Sequence, residues 1–294
     1  MDVSIIIVNY NTLRMTNECI ESVICRTKNL KYEIILVDNA STDGSYDFFI
    51  NDKRIIYIYN KSNFGFGRAN NVGLKISKGR NIIFLNSDTL LVDNAISILS
   101  KYLDIHPHVG ACGGNLISRN HTPLHSFRRL SPLSFELNQF FSNIPAKLLF
   151  KNSYEYNMTS FPIAVNTIVG ADLMVKKCLL EKYGGFDERF FMYCEETELC
   201  HRIRNAGYKI MSIPDVKIIH LEGASFSDDK KIKRIKMNRD STRLYCQIHY
   251  NKFYTKLVDL IWLATIYSRI VIYSITKNPL KYFWISIKQE SKRN

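Results

Sequence analysis

No two of the seven cysteines form a Cys-x-x-Cys pair, and the odd set Cys19, Cys25, Cys112, Cys178, Cys194, Cys200 and Cys246 is scattered along the chain. That spacing argues against a zinc ribbon and a disulfide scaffold, and it points to a reducing compartment, the cytosol. A basic leader is missing too: Met1-Asp2-Val3-Ser4 runs directly into a strand pattern, so no secretory signal is expected. Internal repeats and low-complexity tracts are absent. Acidic residues are scarce toward the end. From Phe226 onward there are 5 against 15 basic ones, a local charge of +10, whereas residues 1–225 carry 22 acidic and 25 basic residues, +3. Such a tail suits nucleic acid, an anionic membrane or plain solubility, and only the neighbouring apolar pattern can choose among them.

What is present is an alternation. With 294 residues, 46% of them hydrophobic, the chain can bury one large core with an appendage, or two modest ones. Residues 3–8 (VSIIIV), 33–37 (EIILV), 54–59 (RIIYIY) and 81–85 (NIIFL) are β-branched apolar runs of the kind buried on both faces of a parallel sheet. Helix-length segments separate them at 12–25, after the turn Ser41-Thr42-Asp43-Gly44, and at 68–77. The order βαβαβαβ predicts a doubly wound sheet with right-handed crossovers. A helix over 93–103 with Asp93 as N-cap follows, then a strand at 109–113. Residues 118–163, with Pro123, Pro132, Pro145 and Pro162 among aromatic and basic residues, read as a long excursion over the active face. Regular structure resumes at 166–175. Helices over 177–183 and 195–206 are stopped by Gly184-Gly185 and Gly207, and strands are expected at 209–213 and 216–220.

Residues 257–275 differ in kind, being nearly all apolar over 19 positions, broken by Asp259 and Arg269. The length approaches a membrane span, but Arg269 lies well inside it and would be costly there. Flanking Lys252, Lys256, Lys277, Lys281, Lys288, Lys292 and Arg293, with Trp262, Tyr267 and Trp284, suit an interfacial helix on an anionic leaflet. The alternative is a core helix packed on the sheet domain.

Leu85-Asn86-Ser87-Asp88 ends a strand on a carboxylate, which delivers that charge to the rim of a parallel sheet, where open α/β sheets bind ligands and metals. Asp88 can serve a divalent cation that carries pyrophosphate, since such ions need only one or two carboxylates beside phosphate oxygens and water; capping the following helix is its structural alternative. His220 closes a strand and is a second metal candidate, though an isolated histidine also serves as an ordinary surface or core residue. Asp38 at another strand end can accept hydrogen bonds from a uracil or thymine N–H or from ribose hydroxyls, its structural alternative being to cap the turn that follows, while Asp43 reads as a helix cap. In residues 63–71 (NFGFGRANN), Gly65 and Gly67 at a helix start let backbone N–H groups approach a phosphate, and Arg68 adds charge. A dinucleotide fingerprint would need a third glycine where Asn70 stands, and it follows the first strand rather than the third, so a Rossmann dehydrogenase is not expected.

Glu195, Glu196 and Glu198 open a helix, where acids are often only partners of the helix dipole. Two adjacent acids cannot share one helical face, so at most one points into a site while the other can pair with Arg202 or Lys209. The glycine hinge Gly184-Gly185 and the aromatic wall up to Tyr193 lead to a partly desolvated carboxylate, basic enough to deprotonate a hydroxyl.

In this order, segments 4–11, 37–45, 63–73, 85–88, 169–172, 184–188, 195–202 and 220–225 resemble the inverting nucleotide-sugar glycosyltransferases of family 2, and within them the rhamnosyltransferase-like branch. The resemblance runs from residue 3 to about 250. It implies a GT-A type fold: an α/β, Rossmann-like, mostly parallel central sheet flanked by helices, here with a C-terminal helical extension. It implies a nucleoside diphosphate sugar donor, its base held by Tyr10 and Asp38 and its nucleotide bordered by Asn63, Gly65, Gly67, Arg68, Asn71 and Ser87. Asp88 and His220 would bind Mg2+ or Mn2+ on the pyrophosphate, and Glu196, with Glu195 beside it, would take the acceptor proton. Two positions depart from the family pattern. Asn86 replaces the first acid of the usual Asp-x-Asp, and Glu195-Glu196 replaces the usual Glu-Asp, the extra methylene moving the carboxylate by about 1.5 Å.

The expected organisation is a glycosyltransferase domain over 1–225, with a nucleotide-binding half 1–115 and an acceptor-binding half 116–225, then a basic, helical, membrane-associating region 226–294. The expected reaction moves a sugar, rhamnose from dTDP-rhamnose, to a hydroxyl of a lipid-linked saccharide in bacterial surface polysaccharide synthesis. It would take place at the inner face of the plasma membrane on an anionic surface, with no nucleic acid as partner. Competing readings are a catalytically inactive sugar-nucleotide binder and a nucleic-acid binder acting through the basic tail. A nucleotidyltransferase would carry a glycine- and basic-rich loop after the first strand, where Asn9-Tyr10-Asn11-Thr12 stands.

Overall fold

The computed structural model describes residues 1–150, 154–221 and 228–290. Each early apolar run forms a strand, and the intervening segments form helices: β1 (Val3–Asn9), α1 (Leu13–Arg26), β2 (Tyr32–Asp38), α2 (Ser45–Phe49), β3 (Ile56–Tyr59), α3 (Phe66–Ile76) and β4 (Asn81–Asn86). There follow β5 (Thr89–Leu91), α4 (Ala95–Ile105), β6 (Val109–Ile117), β7 (Phe127–Arg128), α5 (Pro132–Phe140), α6 (Ile144–Phe150), β8 (Ile163–Val165), β9 (Thr167–Ile168) and β10 (Asp172–Lys176). The chain continues with α7 (Lys177–Tyr183), α8 (Glu195–Asn205), β11 (Lys209–His220), α9 (Asp228–His249), α10 (Lys252–Ile275) and α11 (Leu280–Glu290).

Among the described residues nine strands make one mixed sheet in the order β3-β2-β1-β4-β10-β6-β11-β5, with β8 paired to β11. Six of them (β1, β2, β3, β4, β6 and β11) run one way; β10, β5 and β8 run against their neighbours. The architecture is therefore the α/β, mostly parallel, helix-flanked sheet that the family resemblance implies. Alternation along the strands supplies both faces. Ile5, Ile7, Ile34, Leu36, Ile83 and Leu85 pack on one side with Ile20 and Val23 of α1 and Leu99 of α4. On the other side Ile6, Ile35, Val37, Ile82 and Phe84 pack with Ala69 of α3 and Leu199 and Ile203 of α8. Gly73 lets α3 lie close on the sheet, since a Cβ there would come within 2.7 Å of the Ile6 side chain.

Several boundaries differ from expectation, among them the strand expected at 109–113, which runs on to Ile117. The helix over 93–103 begins at Ala95, with Asn94 rather than Asp93 at the cap position. The strands expected at 209–213 and 216–220 are the single strand β11, whose pairing with β6 is irregular between Ser212 and Lys217. Pro214 lies in that stretch and has no N–H to give the ladder, so the strand shifts register there and continues.

The chain divides into two compact units. One comprises Met1–Arg129, Asn152–Phe191 and Glu195–Glu222 and holds the sheet; the other comprises Leu130–Lys151, Met192–Cys194 and Gly223–Asn294 and is helical. Residues 130–151 thus fall in the same unit as the basic tail. The boundary expected at 225/226 lies outside the described residues, as do Lys292 and Arg293. Within the helical unit α5 is fastened to α10 by polar contacts. The Leu133 N–H donates to the Tyr254 hydroxyl (3.0 Å), and Arg269 donates to the Gln139 carbonyl (3.0 Å) and the Ser142 hydroxyl (2.9 Å). Arg269, costly in an apolar run by itself, therefore finds its partners at the carbonyl end of a neighbouring helix. Arg239 of α9 bonds Glu136 of α5 (3.1 Å) and Asp259 of α10, with its guanidinium 4.8 Å from the centre of the Trp262 ring.

Candidate functional site

Strand register brings the candidate residues to one edge of the sheet. Asn9 pairs with Asp38, Asp38 with Tyr59 and Val8 with Asn86, so the carboxyl ends of β1, β2, β3 and β4 lie side by side. Asn9 is the hub of that edge. Its amide donates to Asp38 and to Ser41 (both 3.1 Å), and its carbonyl accepts from the Thr12 hydroxyl (2.8 Å) and the Thr16 hydroxyl (2.9 Å). Asp38 is fully buried and accepts from the Ser41 N–H (2.7 Å), Asn9 and the Tyr57 hydroxyl (3.0 Å). It is thereby held rigidly at the strand end, while Tyr10 beside Asn9 is exposed. Asp43 caps as expected: it accepts from the Leu13 N–H at the start of α1 (2.9 Å) and from Ser45 at the start of α2.

The loop before α3 is fixed by a second asparagine, Asn39, which sequence reasoning passed over. Asn39 donates to Asn63 (2.8 Å) and accepts from Asn60 and the Phe64 N–H (both 3.1 Å). Gly65 adopts φ +80°, its N–H donates to Asn63 (2.9 Å), and a Cβ would strike the Phe191 carbonyl. Its lack of a side chain therefore serves close approach by the chain's own backbone, and its amide is already engaged. Gly67 is buried against Phe186 and Glu195. Arg68 is exposed, pairs with Glu188 (3.5 Å) and lies over the Phe64 ring. Asn71 brackets the Phe186 backbone, donating to its carbonyl (2.8 Å) and accepting its N–H (2.9 Å), which ties segment 184–188 to α3.

Asp88 and His220 do meet. The antiparallel pairing of β5 with the end of β11 sets His220 opposite Thr89, and the Leu221 N–H donates to the Asp88 carbonyl (2.8 Å). His220 Nε2 lies 3.2 Å from the Asp88 carboxylate and 3.4 Å from the Asn86 amide. Ser87 contacts the Thr12 hydroxyl at 3.1 Å. One carboxylate oxygen and one imidazole nitrogen suit a divalent cation that keeps phosphate and water as its other ligands. Among the described residues no cluster of three or more His, Cys, Asp or Glu side chains converges, so this two-residue donor set fits a cation carried by a diphosphate better than a closed structural metal site. Residues 222–225 of the motif that begins at His220 lie outside the described residues.

The acid cluster sits across a short bridge. The Ala171 carbonyl accepts the Asn86 N–H (3.0 Å), and a Cβ on Gly170 would lie 3.8 Å from that of Glu196. Asn86, whose amide lies 3.4 Å from His220, and Glu196 at the head of α8 thus flank residues 170–171. Tyr193 and Cys194, both with left-handed φ (70° and 65°), turn the chain into that helix. Glu195, Glu196 and Glu198 are all buried. The arginine pairing expected of Glu195 or Glu196 falls instead to Glu198, whose carboxylate takes three bonds of 2.6–2.8 Å from Arg202. Arg202 also donates to the carbonyls of Tyr183, Gly184 and Gly185, fixing the glycine hinge. Burial, and next the charge of Glu196, push the Glu195 carboxyl well above the usual carboxylate range. Its Oε2 has no hydrogen-bond partner among the described residues.

Asp172 at the start of β10 is a further buried acid. It accepts the Gly114 N–H (2.6 Å), and burial pushes its carboxyl up to about 7. The signal for it was legible: a carboxylate inside an otherwise apolar run.

The sequence profile of Glycosyl transferase family 2 matches residues 4–161, more than half of the chain. Among curated proteins, the O-antigen biosynthesis protein RfbC of Myxococcus xanthus is 25% identical over 228 residues, 76% of this chain and 17% of its own length. The UDP-Glc:alpha-D-GlcNAc-diphosphoundecaprenol beta-1,3-glucosyltransferase WfaP of Escherichia coli is 45% identical over 98 residues, 32% of this chain and 38% of its own. The chain spans a quarter or less of the length of the curated relatives it matches first. Among solved structures, a mannosyltransferase of Pyrobaculum calidifontis in complex with GDP-Man and Mn2+ superposes with a TM-score of 0.63 at 16% identity, covering 99% of this chain and 87% of that one.

Proposed function

Because the chain belongs to glycosyl transferase family 2, we propose that it is an inverting glycosyltransferase that moves a hexose from a nucleoside diphosphate to a hydroxyl of a lipid-linked saccharide in surface glycan synthesis. Rhamnose from dTDP-rhamnose is the donor that the motif resemblance favours. WfaP's substrate and the O-antigen role in RfbC's name support a lipid-linked glycan acceptor at the inner face of the membrane. The observation that carries the reading is the meeting of Asp88 and His220 beside Asn86, whose backbone N–H bonds Ala171 next to Gly170 and Glu196, at the carboxyl edge of the sheet.

Tyr10 and the edge held by Asp38 would receive the base, and residues 63–71 would border the nucleotide. Asp88 and His220 would hold Mg2+ or Mn2+, which when bound neutralises charge on the diphosphate. The two glutamates divide their roles by surroundings. Burial keeps the Glu195 carboxyl protonated to higher pH, which suits it less to accepting a proton. Glu196 then takes the proton of the acceptor hydroxyl as its oxygen bonds to the anomeric carbon, the bond to the diphosphate oxygen breaks on the opposite side, and the configuration inverts.

A thermal-shift screen of nucleoside diphosphate sugars with and without Mn2+ identifies the donor by its stabilisation. Glu196→Gln should retain that stabilisation and lose transfer by ~100-fold or more, whereas Glu195→Gln, which mimics the protonated acid, should stay within about threefold of the parent. Unchanged turnover in Glu196→Gln would sink the assignment. Donor binding without any transfer by the parent chain would favour a sugar-nucleotide sensor.

A further inference from the structure

The helical unit turns many apolar side chains outward. On α10, Phe253, Leu260, Tyr267, Val271 and Ile275 are exposed and recur at spacings of seven, seven, four and four, so they share one helix face. The opposite face, with Thr255, Val258, Thr265 and Ile266, is buried. On α6, Leu148 and Leu149 are 77% and 74% exposed, and Phe141 and Ile144 just before them are also exposed. Soluble surfaces rarely leave so many large apolar side chains exposed on one helical unit without a partner. The two sets belong to one body, because Arg269 and Tyr254 of α10 bond Gln139, Ser142 and Leu133 around α5, which α6 follows directly.

We propose that the α5–α6 segment and the outer face of α10 together form a docking surface for an anionic lipid bilayer, lying in its interface rather than crossing it. The proposal rests on the reading of a lipid-linked acceptor and extends it to residues 132–150, which the sequence places in the acceptor half. Charge selects the occupant. Residues 226–294 carry +10, Lys252 and Lys256 open α10, Lys277 follows it, and Lys147 stands exposed beside Leu148, where amines can reach headgroup phosphates while the apolar face enters the acyl boundary. The same charge opposes a second copy of the chain as the cover. α10 is long and apolar enough to cross a membrane, but crossing would strip Arg269 from its partners on α5 and expose the buried face to lipid.

The test is co-sedimentation of the full chain with vesicles of phosphatidylcholine alone or with about one third phosphatidylglycerol. Binding should require the anionic lipid and weaken with salt. Leu148→Asp combined with Leu149→Asp, and separately Val271→Asp, should each lower partition roughly tenfold or more. All three positions are exposed, so circular dichroism and donor-induced thermal shift should match the parent. Unchanged partition in both variants overturns the proposal. So does a dimer, seen by light scattering, that the substitutions dissociate while vesicles stay unbound. Vesicle binding that persists in a chain no donor stabilises leaves this surface standing and sinks the enzymatic reading instead.

Discussion

Asp172 shows how far one carboxyl can be moved by its surroundings. It is fully buried at the start of β10, and burial, offset by the Gly114 N–H and by the charge of His220, raises it from 3.8 to about 7. The folded value lies above the unfolded one, so the native state holds this proton longer. The stability it contributes is complete below about pH 4 and is lost as pH rises toward 7, on the order of 2–4 kcal/mol in all. Asp172→Asn removes the titration while keeping an acceptor for Gly114. The melting temperature of the variant minus that of the parent should therefore grow between pH 5 and pH 8; a difference that stays constant would refute the account. At this scale the sequence was informative where a side chain ends a strand, as for Asp38, Asp88 and His220. It was silent where a residue's role is to hold the backbone. Asn9 and Asn39 are ordinary polar residues in the sequence, and only the fold shows that each fastens neighbouring strand ends.

Elements act here through their ends. The hinge after α7 is held by one side chain of α8: Arg202 donates to three consecutive carbonyls, those of Tyr183, Gly184 and Gly185, and to the buried Glu198 carboxylate. Arg202→Met would keep the length of the aliphatic stem but remove the guanidinium from which three carbonyls and the buried Glu198 carboxylate accept. The expected cost is about 3 kcal/mol or more in urea unfolding. Because the hinge leads toward Glu195 and Glu196, KM for the donor should rise as well, and a variant as stable as the parent would show that the contact is incidental. The βαβ order of the first half was readable from apolar runs and turn residues, since each strand there follows its predecessor in the same half of the sheet. The insertion of β10 against β4 and β6, and the pairing of β5 with the end of β11, were not. A strand's period says which faces are buried but not which strand will lie beside it. That unreadable pairing is what puts Asp88 beside His220.

At the scale of the whole molecule, the chain divides into a sheet unit and a helical unit, and the basic excess of the sequence lies in residues 226–294, part of the helical one. That residues 130–151 belong with the tail was not visible, because their place depends on individual polar contacts to α9 and α10 rather than on any pattern within the segment. Arg239 is the chief of these contacts. It is 8% exposed, bonds Glu136 and Asp259, and lies against Trp262. Burial raises Glu136 to about 7 even beside this arginine, so the cluster is costly to break from one side. Arg239→Leu should destabilise the helical unit by roughly 3–5 kcal/mol, because two carboxyls lose the charge that balances them. Glu136→Gln in the same chain should recover part of the loss. Every candidate donor residue lies in the sheet unit, so the thermal shift given by the donor should survive in Arg239→Leu even as proteolytic cleavage within 228–290 accelerates and vesicle partition falls. Loss of the donor response in step with that cleavage would mean that the helical unit contributes to donor binding itself, and that the division of labour between the two units is wrong.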